Sequence, residues 1–117
     1  MIQGTWVPIT AELGGHALPE DRLLSMKLIL AKQNYTMLVG KTSDKGTVTL
    51  NSEVRPMAMD VRGTEGPNKG KTIPAIYQLA GDTLKVCYNL SGQERPTEFM
   101  TRPNTNLFLV MYKRQTT

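Results

Sequence analysis

Turn signals recur at short intervals along the whole chain, and this spacing limits the possible folds more than any other feature. Gly14-Gly15, Gln33-Asn34, Asp44-Lys45-Gly46, Asn51-Ser52, Gly81-Asp82 and Ser91-Gly92 separate segments of strand length. Short strands at regular spacing, each ended by a turn, specify an all-β chain. The segments agree. Thr5–Leu13 reads as a first strand, and Met26–Leu30 and Tyr35–Val39 flank a tight turn as a hairpin. Thr47–Leu50 and Met57–Val61 alternate in polarity with the period of a strand. Ile76–Leu79 and Leu84–Tyr88 form the clearest hairpin, because glycine in the intervening Gly81-Asp82 supplies the positive φ that a tight turn needs. The last segment, Leu107–Arg114, is apolar for its first six residues and calls for partial cover on both faces.

About eight strands in meander order predict a small antiparallel up-and-down β-barrel, which closes around side chains or one small ligand and leaves no sheet edge open. The 117 residues supply one such domain, spanning 1–117. One short helix is expected near residues 19–25, where Pro19 suits a helix start, Glu20 and Asp21 suit its positive end, and Leu23-Leu24 follow. Pro8 and Pro74 lie inside strand segments and mark a bulge or an unpaired stretch, since neither can donate to a ladder.

Strand alternation assigns the faces. Met57, Met59 and Val61 share one face, as do Leu84, Val86 and Tyr88, and Tyr77 with Leu79. Asp60 and Lys85 occupy the opposite faces, so the apolar sets point inward. These eight residues are the expected lining of any cavity in the barrel, with flexible methionines and with Tyr77 or Tyr88 as an oriented polar tip. The methionines Met26, Met37, Met57, Met59, Met100 and Met111 are numerous for this length, and simple core packing also accounts for them.

The remaining chemistry is sparse. The net charge is +4 and the isoelectric point near 9.4, but Lys27, Lys32, Lys41, Lys45, Lys85 and Lys113 are scattered among Asp44, Asp60, Asp82 and Glu98. That pattern is a mixed solvated surface and implies no nucleic-acid partner. No apolar run reaches the ~20 residues of a membrane helix. The N-terminus lacks the basic and apolar stretches of a signal peptide, which fits a cytoplasmic protein or an exported one whose signal has been removed. Cys87 is the only cysteine, so no internal disulfide forms. Gly66–Thr72 ends in Gly70-Lys71-Thr72 but has three residues between its glycines where a phosphate loop needs four, and strand sequence follows. It reads as a glycine-rich connection between two strands, and the loop from Gly63 to Lys71 is expected to be exposed and to bind no nucleotide. His16, the only histidine, lies in a turn region; a histidine cluster around a metal is excluded, and no metal or cofactor is expected. Cys87 sits beside Lys85 and reads as a small strand residue. Pro96 prevents a helix from stacking Glu94 on Glu98, so no acid/base pair is assigned, and Arg95 with Glu98 reads as a structural pair.

Four blocks carry a resemblance. They are Ile2-Gln3-Gly4-Thr5-Trp6, the stretch Gly66–Tyr77, Arg95-Pro96-Thr97-Glu98-Phe99, and Tyr112-Lys113-Arg114. Together they resemble an uncharacterised lipocalin-like domain family abundant in planctomycete bacteria, over nearly the whole chain. The resemblance implies a lipocalin-like barrel and no particular activity. Gly4-Thr5-Trp6 is also similar to the Gly-x-Trp that opens the first strand of lipocalins, where a basic residue of the last strand packs on the tryptophan. Arg114, or Lys113, is the matching basic residue, and Trp6 the plug of one barrel end. The middle lipocalin motif is absent.

Two functional classes follow, with an enzyme third for want of convergent polar residues. The favoured one is a non-enzymatic binding module for a small apolar ligand in the barrel. The alternative is a protein-interaction domain, an inhibitor or sensor, with a filled barrel. A nucleic-acid-binding barrel would need exposed stacking aromatics, and the seven aromatic residues are largely needed for the core.

Overall fold

The computed structural model describes residues 2–115. Met1, Thr116 and Thr117, the outermost positions of the expected 1–117 domain, lie outside the described residues. The elements run β1 (Gly4–Leu13), β2 (His16–Ala17), α1 (Glu20–Leu24), β3 (Met26–Ala31), β4 (Asn34–Val39), β5 (Thr42–Asn51), β6 (Met57–Glu65), β7 (Thr72–Ala80), β8 (Thr83–Asn89) and β9 (Leu107–Arg114). From β3 onward each strand pairs antiparallel with the next, β1 pairs with β3, and β1 closes the ring on β9. The result is an eight-stranded up-and-down barrel, with β2 as a short extra strand on the end of β1 and α1 as a single short helix.

One turn signal misleads. Asp44-Lys45-Gly46 lies within β5, and the chain reverses earlier, at Gly40-Lys41, where Gly40 has φ 60°. The reason is alternation: Asp44, Gly46 and Val48 occupy one face of a continuous strand and are all buried. A register shift between Lys45 and Gly46 against β6 absorbs the irregularity. The first hairpin also turns one residue early, at Lys32-Gln33, with Lys32 at φ 59°. The prolines fall where their missing N–H is tolerated. The β1–β9 register slips between Pro8 and Thr10, and the β7–β8 ladder begins at Ala75, just after Pro74.

Register defines two ends. At one end lie the start of β1, the β3–β4, β5–β6 and β7–β8 hairpins, and the end of β9, with Trp6 paired to Leu28 and to Arg114. At the other lie α1, the Gly40-Lys41 turn, the 66–71 loop and the start of β9. Leu18 and Leu23, before and within α1, pack on the core there. Tertiary contact sustains this helix, since five residues are too few to hold a helix alone.

The segment 90–106 runs along the outside of the barrel. Arg95 donates to Met59 O (3.1 Å) and Ala75 O (3.0 Å) and to Asp60 Oδ1 (2.7 Å). Thr101 accepts from Gly15 N at 2.9 Å and donates to Glu12 Oε1. Lys85 stands 5.0 Å over the Phe99 ring. This strap explains why Ile73–Tyr77 is buried without interruption: the inward face meets the core and the outward face lies under the strap. Arg95 therefore pairs with Asp60 and not with Glu98, which instead faces Arg102 at 3.6 Å. Glu98 and Arg102 are only four residues apart on the exposed strap, whereas Arg95 gains two backbone carbonyls in addition to its carboxylate.

Candidate functional site

A cavity of about 200 Å³ occupies the barrel interior on the side away from Trp6. Its walls follow from alternation on successive strands. Met26, Leu28 and Leu30 come from β3, Met37 and Val39 from β4, Val48 from β5, and Met59 and Val61 from β6. Ile73, Tyr88 and Phe108 complete the far side. Half-exposed Met37, Val39, Asn68 and Phe108, with exposed Leu90, form a rim toward solvent.

One wall is polar. Asp44, only 8% exposed, accepts from Tyr35 Oη at 3.1 Å and from Asn68 Nδ2 at 2.7 Å through Oδ2, and from the Asn68 backbone N at 3.3 Å through Oδ1. Asp44 is the sole charged group among the described lining residues, and no described cation pairs with it. Two glycines that face each other across β5 and β6, Gly46 and Gly63, make this cluster possible. A Cβ on Gly46 would stand 2.6 Å from Tyr35 Cε2 and 1.9 Å from Arg62 O, and one on Gly63 would stand 2.0 Å from Asn68 O. Their hydrogens leave room for the tyrosine ring on one side and for the folded-back 66–71 loop on the other.

Burial and the neighbouring Asp44 carboxylate push the Tyr35 phenol well above its ordinary range. Across the cavity, Tyr88 Oη lies 2.8 Å from Tyr112 Oη, and its ring stacks on Phe108 at 5.8 Å. Burial pushes Tyr88 up to about 12 and raises Tyr112 well above the ordinary phenol value. Both hydroxyls therefore stay protonated at neutral pH and hold each other in place.

The eight expected lining residues divide between the two ends. Met59, Val61 and Tyr88 border the cavity. Tyr77, Leu84 and Val86 face the same interior but are packed into the core, with Met57 and Leu79 partly buried against it. These five lie toward the Trp6 end, where side chains fill the interior. Trp6 itself is fully buried, with Arg114 4.3 Å above its ring. Tyr77 is thus no polar tip of the cavity, and Tyr88 offers an oxygen already engaged by Tyr112. Sequence reasoning missed Tyr35, Asp44 and Asn68. Extending the Val48 alternation backward through Gly46 to Asp44 would have found the carboxylate; the inward turn of Asn68 has no local signal.

The other singled-out residues stand apart. His16 is exposed on β2, and Cys87 is buried on the outer face beneath the strap, its Sγ 3.7 Å from Met100 O and its thiol pKa raised by burial. The expected exposed loop from Gly63 to Lys71 starts later, because β6 runs to Glu65 with Gly63 buried against the loop; Gly66, Pro67, Lys69, Gly70 and Lys71 are exposed, Asn68 is drawn into the site, and β7 rather than a helix follows. Among the described residues no three of His, Cys, Asp and Glu converge as metal ligands, and no helix is long and apolar enough to cross a membrane. Comparison with protein-family models, curated proteins and solved structures finds no match for this chain.

Proposed function

We propose that this protein is a non-enzymatic, lipocalin-like binding module that holds a small, largely apolar ligand in the barrel. The carrying observation is the cavity of about 200 Å³ walled by aliphatic and methionine side chains, with one polar corner. An apolar void of ~150 Å³ in a protein interior stays dry and takes up a benzene-sized guest, so this volume suits a compact ligand rather than a long lipid. A barrel plugged at one end by Trp6 under Arg114, with its cavity toward the other, also favours kinship with the lipocalin-like domains that the sequence resembles. The protein-docking alternative requires a filled barrel, and the space between Leu28 and Met59 argues against it.

Toluene titration followed by amide NMR tests the proposal. Saturable shifts centred on Leu28, Val48, Met59 and Val61, abolished by Met59→Trp, are expected. Shifts confined to the outer surface, or unaffected by filling the lumen, would move the assignment to protein docking.

A further inference from the structure

The polar corner makes the ligand class more specific, on the reading that the cavity is a binding site. Asp44 is an acceptor in all three of its contacts, from Tyr35 Oη and from the Asn68 side-chain and backbone nitrogens. A carboxylate has about four acceptor positions, so one remains. The vacancy falls on Oδ1, whose single partner is the longer, 3.3 Å bond from Asn68 N. A buried charge without a cationic partner is costly, and the protein supplies donors here but no described cation. Everything else that lines the space is apolar or already hydrogen-bonded, including Tyr88 to Tyr112.

We infer that the preferred occupant is a small organic amine in its ammonium form, with an apolar ring or chain of about six to eight carbons filling the void and its N–H bonded to Asp44. Binding converts a buried carboxylate without a cationic partner into an ion pair in a site walled mainly by apolar side chains. A carboxylate-bearing ligand of the same size meets repulsion from Asp44. Exposed Lys41, Lys69 and Lys71 on the turns of this end pull the other way, since they draw anions toward the mouth. The inner carboxylate decides occupancy, because it touches the ligand directly in low dielectric whereas the lysines are solvated and screened.

Three ligands with one ring separate the terms: toluene, benzylamine and benzoate, titrated calorimetrically into the wild-type protein at neutral pH. Benzylamine is expected to bind on the order of tenfold or more tighter than toluene, the scale of one charge-assisted hydrogen bond, and benzoate weaker than toluene. In Asp44→Asn the amine advantage disappears, and a thermal melt reports whether that variant is folded. Should it fail to fold, the wild-type ranking alone is decisive. Toluene binding with no advantage for benzylamine, or with benzoate preferred, overturns the amine assignment while leaving the cavity reading intact. Failure of both toluene and benzylamine to bind overturns the cavity reading and the amine assignment with it.

Discussion

Arg114 places its guanidinium 4.3 Å from the centre of the Trp6 ring, across the β1–β9 seam that closes the barrel. The same side chain donates to Asp82 Oδ1 at 3.1 Å and to Gln3 O, and Trp6 Nε1 donates to Ile2 O at 2.9 Å. One stacked pair therefore ties the N-terminal segment, the last strand and the β7–β8 turn together. Trp6→Ala is expected to cost about 3–5 kcal/mol in urea denaturation, the usual consequence of emptying a large buried aromatic site. Arg114→Ala is expected to cost less, about 1–2 kcal/mol, because the indole keeps its place in the barrel while the cation contact and the hydrogen bonds to Asp82 and Gln3 are lost. An unchanged midpoint for Trp6→Ala would show that the ring does not plug the barrel.

The tyrosines predict an alkaline transition. All four, Tyr35, Tyr77, Tyr88 and Tyr112, have raised pKa values, with burial the first cause in each. Above the ordinary phenol value of 10.0 the unfolded chain releases these protons while the folded protein keeps them. The unfolded state then binds fewer protons, so stability falls as pH rises from 10.0 toward about 12, the folded value of Tyr88. Phenolate absorbance at alkaline pH should stay low until the circular dichroism signal collapses, and then rise in the same transition. A smooth titration centred near the ordinary phenol value, with the fold intact, would contradict these burials.

The strap over Ile76 and Cys87 depends on Arg95. Removing its guanidinium in Arg95→Ala leaves Met59 O and Ala75 O without that donor. Its ion pair with Asp60 is partly exposed and contributes little by itself. The Cys87 thiol reports the outcome, because it is buried on the outer face with its Sγ at Met100 O. Labelling by a disulfide reagent should be slow in the wild type and about tenfold faster in Arg95→Ala, matching roughly 1.4 kcal/mol of easier local opening. Equal rates would mean that Pro96, Phe99 and Thr101 hold the strap without Arg95.

Gly63→Ala tests the architecture of the polar corner. The new Cβ would meet Asn68 O at 2.0 Å, so the 66–71 loop must lift from Asp44. A loss of about 1–3 kcal/mol is expected, with the Asn68 side-chain amide resonances shifting toward solvent-exposed values. Retention of those resonances would show that the loop accommodates the methyl group by another route.

Much of the fold is written locally. Gly81-Asp82 and the alternation of Leu84, Val86 and Tyr88 specify their hairpin without help from the rest of the chain. The Pro19-Glu20-Asp21 helix start and the Pro8 bulge are equally local. The candidate site is less legible, for two physical reasons. Asp-Lys-Gly carries strong turn chemistry, yet inward alternation with Val48 and a bulge against β6 override it and bury Asp44. Alternation also tells inward from outward but not which end of the barrel is full, and that division separates Met59, Val61 and Tyr88 from Met57, Tyr77, Leu79, Leu84 and Val86. Arg95 found Asp60 rather than nearby Glu98 because the barrel brings together residues 35 positions apart in sequence.

The proposed binding function requires an apolar space opposite Trp6 that a small guest can enter. A crystal of the protein pressurised with xenon tests it most directly, since xenon settles in dry apolar voids of this scale. One strong xenon site lined by Leu28, Val48, Met59 and Val61 is expected, lost in Met59→Trp. Xenon absent from the interior, with side chains closed over that position, would contradict it.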